Sequence, residues 1–191
     1  MSYAIATNEL TLTDRKNFIN GAIEQGVKRA LSLGMASDKK ELVVREAFPH
    51  ADLGLAATNG WLTDDYISMV IPVAVNAWVS AFSAGALPGT QFQLGNNQIA
   101  VFYKFADVED APVVNGVRFR LGAGGATTLG SFYIQLPTTA KIEPDVYFTE
   151  PIVYGPQSWL YIEIYPTGNI GGQEHIPFGC FIIEPTGGTV S

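Results

Sequence analysis

The chain has 191 residues, 47% hydrophobic, 12% aromatic and only 15% charged, with 18 acidic against 11 basic groups for a net charge of −7. That composition excludes a disordered chain and gives room for about one domain with an extension. A single cysteine, Cys180, excludes an internal disulfide framework.

The charge is unevenly placed. Residues 1–46 hold seven basic groups (Arg15, Lys16, Lys28, Arg29, Lys39, Lys40, Arg45) and six acids, whereas the remaining 145 residues hold four basic groups and twelve acids. An acidic body argues against direct nucleic-acid binding, because phosphate affinity comes mainly from cationic contacts that release counterions. The N-terminus lacks the basic stretch and apolar run of a secretory signal. The most apolar stretch, residues 67–82, is interrupted by Pro72, Asn76 and Ser80 and falls short of the roughly 20 residues needed to cross a bilayer. The expectation is a soluble protein made in a cytoplasm, with no membrane partner.

Residues 1–48 read as an N-terminal arm and residues 49–191 as a body. After Thr13, the residues Ile19, Ile23, Val27, Ala30 and Leu31 recur at helical spacing, and Gly34 follows as a C-cap. Phe18 and Ala22 widen this stripe, while Lys16, Asn20, Glu24 and Lys28 occupy the other side. An amphipathic helix of about five turns must pack its stripe against something. Phe18, Ile19, Ile23, Val27 and Leu31 are therefore the candidate docking residues, for the chain's own body or for a partner subunit; a merely solvated helix is the plainer alternative.

Residues 37–46, with Ser37 as a cap, read as a short helix or extended connector, although Leu42, Val43 and Val44 also fit a strand. Residues 49–65 are mostly loop. Pro72 divides residues 66–82 into two predicted strands, 66–71 and 73–82. Residues 99–105 form a dense apolar strand, followed by an acidic turn over 107–113. Val117, Phe119 and Leu121 alternate with Arg118 and Arg120, which sets the arginines on the opposite face. A glycine-rich loop over 122–130 leads to strands at 132–136, 146–153, 159–165 and 178–183. In residues 159–165, Leu160, Ile162 and Ile164 point one way and Trp159, Tyr161, Glu163 and Tyr165 the other. The count of about eight strands predicts a mainly β fold, a jelly-roll-like antiparallel β-sandwich with an N-terminal α-helical arm.

Residues suited to catalysis are sparse. His50 and His175 sit in turn-like contexts without metal-ligand spacing, and Cys180 lies in an apolar run that reads as core. The glycines at 122, 124 and 125 lack the lysine of a phosphate-binding loop. Asp64 with Asp65, and Asp107 with Glu109 and Asp110, offer oxygen ligands for calcium but not an EF-hand spacing, so solvated acidic turns are the simpler reading. No catalytic residue, metal ligand or cofactor is predicted.

From about Trp78 onward, the succession Ile99-Ala-Val-Phe-Tyr, Val117-Arg-Phe-Arg-Leu-Gly, Tyr147-Phe-Thr-Glu-Pro-Ile-Val-Tyr-Gly-Pro-Gln and Ile183-Glu-Pro-Thr-Gly-Gly resembles the cement or decoration proteins of tailed-bacteriophage heads. The resemblance implies a virion component without catalytic residues. It would bind the major capsid protein and copies of itself as a symmetric oligomer, with a trimer expected. A single-jelly-roll major capsid protein of a tailless virus is the close alternative. A carbohydrate-binding module is the second class, with Trp159, Tyr161 and Tyr165 as its aromatic contact face, and a hydrolase using two carboxylates is the third.

Overall fold

The computed structural model describes residues 4–6, 10–47, 52–53, 67–70, 76–81, 92–106, 113–122, 127–133, 145–168 and 173–187. The first elements are strand β1 (Ala4–Ala6) and helix α1 (Leu12–Ser32). The helix begins one turn-fraction earlier than Thr13 suggests, because Thr11 and Asp14 close a reciprocal capping box: the Thr11 N–H donates to Asp14 Oδ2 at 3.0 Å and the Asp14 N–H to Thr11 Oγ1 at 3.2 Å. It ends where expected. Gly34 adopts a left-handed φ of 71°, its N–H donating to the Leu31 carbonyl and that of Met35 to the Ala30 carbonyl, which is a Schellman stop.

Residues 37–46 resolve the sequence ambiguity in favour of a strand. The cap is Asp38 rather than Ser37: Asp38 Oδ1 accepts from the Lys40 N–H at 2.9 Å, while the Ser37 N–H donates to Glu41 Oε2 at 2.8 Å. The 3-10 turn that follows covers only Lys39–Glu41 before the chain enters strand β2 (Leu42–Glu46). The β-branched pair Val43 and Val44 suits that pleat better than a helix.

The remaining strands are β3 (Ile67–Val70), β4 (Val79–Ser80), β5 (Phe92–Gln93), β6 (Ile99–Phe105), β7 (Val114–Leu121), β8 (Thr127–Tyr133), β9 (Val146–Tyr154), β10 (Trp159–Pro166), β11 (Gln173–Ile176) and β12 (Phe178–Pro185). The predicted break at Pro72 itself lies outside the described residues, but strands occur on both sides of it. The predicted glycine loop over 122–130 is too long, since β8 already begins at Thr127. His175 sits in a strand rather than a turn, opposite Ser68. The short strands β1, β5 and β11 have no counterpart in the sequence reading, as each is too brief to show a period.

Pairing follows one nested rule. β7 pairs β8, β6 pairs β9, β4 pairs β10, β3 pairs β11 and β2 pairs β12, all antiparallel. The chain is thus a long double-stranded ribbon, rolled so that β6 also pairs β12 and β7 also pairs β10. Rolling produces two main sheets, β1-β9-β6-β12-β2 and β4-β10-β7-β8 with β5 alongside β10, and β3 with β11 forms a third, two-stranded sheet. With β2, β4, β6, β7, β8, β9, β10 and β12 numbered first to eighth, the sheet orders are 6-3-8-1 and 2-7-4-5, the winding of a jelly roll.

Between the sheets, alternate residues interlock as an aromatic core. Phe102, Phe105, Phe119, Phe132, Phe148, Phe178 and Tyr154 all belong to it. Phe132 stacks on Phe148 with centroids 4.1 Å apart, and Phe102 meets Phe119 at 5.0 Å. Tyr154 also ties the sheets together, its buried hydroxyl donating to the Arg120 carbonyl at 2.9 Å. Cys180 is fully buried here, as its apolar context predicts.

The other side of the first sheet is covered by α1, giving three layers. The ladders on both sides of β6 skip Tyr103, and this irregularity accompanies a Tyr103 ring packed in the helix layer, stacked on Phe181 at 4.9 Å. The segment 1–48 thus contributes both a covering helix and an edge strand, β2, to a single packed unit. No helix among the described residues is long and apolar enough to cross a membrane.

Candidate functional site

Two surfaces were singled out by the sequence, and the fold places them on opposite sides of the molecule. The helical stripe faces the first sheet of its own chain. Phe18, Ile19, Ile23 and Val27 pack against a cluster containing Ile99, Val101, Tyr103, Tyr147, Phe181 and Ile183. Phe18 approaches Tyr147 with ring centroids 5.9 Å apart. Leu31 is only partly buried and stands outside that cluster. The residues pressed deepest are the small ones, Ala22, Gly26 and Ala30, one helical turn apart. Four of the five candidate docking residues are therefore engaged with the chain's own body.

The second surface is the outer face of the β4-β10-β7-β8 sheet. Period-2 alternation on β7 and β10 buries Val117, Phe119, Leu160, Ile162 and Ile164 inward and turns Arg118, Arg120, Trp159, Tyr161, Glu163 and Tyr165 outward. The register sets Glu163 opposite Arg118 and Tyr161 opposite Arg120. Trp78, just before β4, reaches the same face and lies 5.3 Å from Tyr165, ring centroid to centroid.

The polar groups on this face are tied to one another. Glu163 is 6% exposed, and its Oε2 accepts from Arg118 Nε at 2.7 Å and Nη2 at 2.6 Å, with Arg120 Nη1 at 3.5 Å. The Arg118 guanidinium also lies 4.4 Å from the centre of the Trp78 ring, and that of Arg120 lies 5.6 Å from the Tyr161 ring. Among the described residues two cations share this one carboxylate, which leaves the three side chains one net positive charge. Both arginine side chains remain about a quarter exposed, at 23% and 26%. Such a face is ordered before any partner arrives and can stack against a planar or apolar group while hydrogen-bonding an acceptor.

Trp159, Tyr161 and Tyr165 thus share one side of one strand, as predicted, and all three are partly exposed. Trp78, Arg118, Arg120 and Glu163 complete this face beyond the three aromatics expected from the sequence. The alternation on each strand separately marks three of them. The pairing of β7 with β10, and the approach of Trp78 from a separate segment, are properties of the fold alone.

Elsewhere, Arg45 links two carboxylates, Asp52 at 2.8 Å and Glu184 at 3.1 Å, while Gln98 donates to the other oxygen of Glu184 at 3.1 Å. This network fastens β2 to β12 and to the turn before β6. Glu184 and Asp52 hold the Arg45 pKa above its usual value, with the hydrogen bond to Asp52 the largest cause. Among the described residues no three His, Cys, Asp or Glu side chains gather as a metal site. The acidic pairs at 64–65 and 107–110, and His50, lie outside the described residues. Comparison of the sequence with protein-family models and with curated proteins finds no match.

Proposed function

We propose that this is a non-enzymatic virion structural protein, a capsid cement or decoration protein that binds a major capsid lattice as a symmetric oligomer, with a trimer expected. It acts without a cofactor, is made in the host cytoplasm and ends in the virion. The observation that carries this reading is the division of labour between interior and surface. The jelly-roll interior is closed by interlocking aromatic rings, so the sandwich serves as a scaffold, and the outer sheet face presents Trp, Tyr and Arg, the residue types that dominate protein contacts. The sequence resemblance from Trp78 onward points the same way.

A single-jelly-roll major capsid protein is the second reading, favoured by the complete nested strand order. Both readings require the chain to assemble, and light scattering coupled to size exclusion tests that requirement. A discrete oligomer or closed particle is the expected result. A chain that stays monomeric at all concentrations and binds a glycan through Trp159, Tyr161 and Tyr165 would overturn both in favour of a carbohydrate-binding module. Turnover in a screen of glycoside and ester substrates would overturn the non-enzymatic assignment.

A further inference from the structure

We infer that the outer face of the β4-β10-β7-β8 sheet receives a second copy of this chain, which docks through an acidic surface. The inference rests on the assembly reading above and adds the surface and the polarity of the contact.

Charge supplies the first argument. From residue 47 onward the chain has four basic groups against twelve acids. Of those four, Lys141 lies outside the described residues, Lys104 is held by Asp145 at 2.8 Å, and Arg118 and Arg120 stand together on one face around a single carboxylate. An otherwise acidic body therefore concentrates positive charge here. Two such faces repel one another, which disfavours a face-to-face two-fold contact. The solvent side of α1 carries Lys16, Lys28 and Arg29, with Glu24 bound to Lys28 at 2.8 Å, so it is no better a complement. The excess of acids over basic groups within residues 47–191 of a neighbour is. A head-to-tail contact of this kind closes a ring when the rotation permits.

Composition and order supply the second. Aromatics and arginine are enriched at contact centres, where lysine is depleted. This face has Trp78, Trp159, Tyr161, Tyr165 and the two arginines, and no lysine among its described residues. The Arg118 guanidinium is already fixed by Glu163 and Trp78, which lowers the entropy lost on docking.

The test is sedimentation of the full chain over a concentration series, repeated from about 0.1 M to about 1 M salt, alongside the variants R120Q and Y161A. K28Q on the helix serves as the control, and circular dichroism checks that each variant is folded. The expected result is self-association that weakens with salt and weakens at least about tenfold in R120Q and Y161A, with K28Q unchanged. The salt series uses the unaltered chain, so the test survives a variant that fails to fold. An oligomer indifferent to salt and to both variants overturns this inference alone and leaves the assembly reading standing. A monomer under every condition overturns both.

Discussion

Gly26 of the helix and Val101 of the sheet approach so closely that a β carbon on Gly26 would stand 2.6 Å from Val101 Cγ2, with Ile183 crowding the same point. The helix lies against its sheet because the residue at the crossing has no side chain. Gly21, one and a half turns earlier, has nothing within 4 Å of the same position. The two glycines therefore respond oppositely to alanine. Gly21→Ala is expected to raise stability by about 0.5–1 kcal/mol through helix propensity. Gly26→Ala is expected to lower it by about 1–2 kcal/mol, because overpacking against a buried β-branched side chain costs about 1–3 kcal/mol and outweighs the same gain. Urea unfolding of both variants checks the contrast, and equal shifts would contradict the packing.

The helical stripe leads to a related outcome. Ile23 and Val27 pack on the chain's own sheet, so Asp at either position acts first on folding. Ile23→Asp is expected to cost about 2 kcal/mol or more by setting a carboxylate against apolar neighbours. A variant that lost assembly while keeping wild-type thermal stability would instead mean that the stripe serves a partner.

Glu163 is buried beneath two arginines, and removing its charge leaves both without their carboxylate. Glu163→Gln is expected to cost about 2 kcal/mol, less than a fully buried pair because the arginines remain partly exposed. The effect should shrink in the background of Arg118→Gln. A double-mutant cycle in urea measures the coupling, and strict additivity would deny it.

Tyr103 and Tyr154 are expected to contribute to a loss of stability at alkaline pH. Burial raises both phenols above their ordinary value of 10.0, and the Glu46 carboxylate adds to the effect at Tyr103. A folded pKa above the unfolded one stabilises the protonated form. The contribution is complete below pH about 10 and is lost as the pH rises beyond it. Stability should therefore fall above pH about 10, and less steeply in Tyr103→Phe, which retains the ring stacked on Phe181. Urea midpoints across that range decide it; an unchanged slope in Tyr103→Phe would rule out this residue as a cause.

Cys180 lies fully buried between the sheets, and desolvation raises its thiol pKa well above the usual value. The thiol is expected to resist alkylation in the native chain and to react once denaturant opens the sandwich. Rapid native labelling would show that the sheets part readily.

Much of this was legible in the sequence because period-2 patterns survive any context. Val117, Phe119, Leu160, Ile162 and Ile164 alternate with polar or aromatic neighbours, and that alternation assigned their faces correctly before any pairing was known. Gly34 likewise marked the helix end, since a left-handed stop favours glycine. Local chemistry misled where two states compete over a few residues, as at Leu42–Glu46, which hydrogen bonds to β12 draw into the sheet.

What the sequence by itself determined was the class of fold, the helix, the apolar and outward sides of the long strands, and the acidic balance of the body. These follow from periodicity and composition, which act over a few residues or over the whole chain. Only the tertiary structure decided that the helical stripe is taken up by its own sheet, that Gly26 sets the crossing, and that Glu163 joins Arg118 and Arg120 beside Trp78. Those relations depend on the rolling of a long ribbon, which brings residues 40 or more positions apart into register through hydrogen bonds that no local pattern specifies.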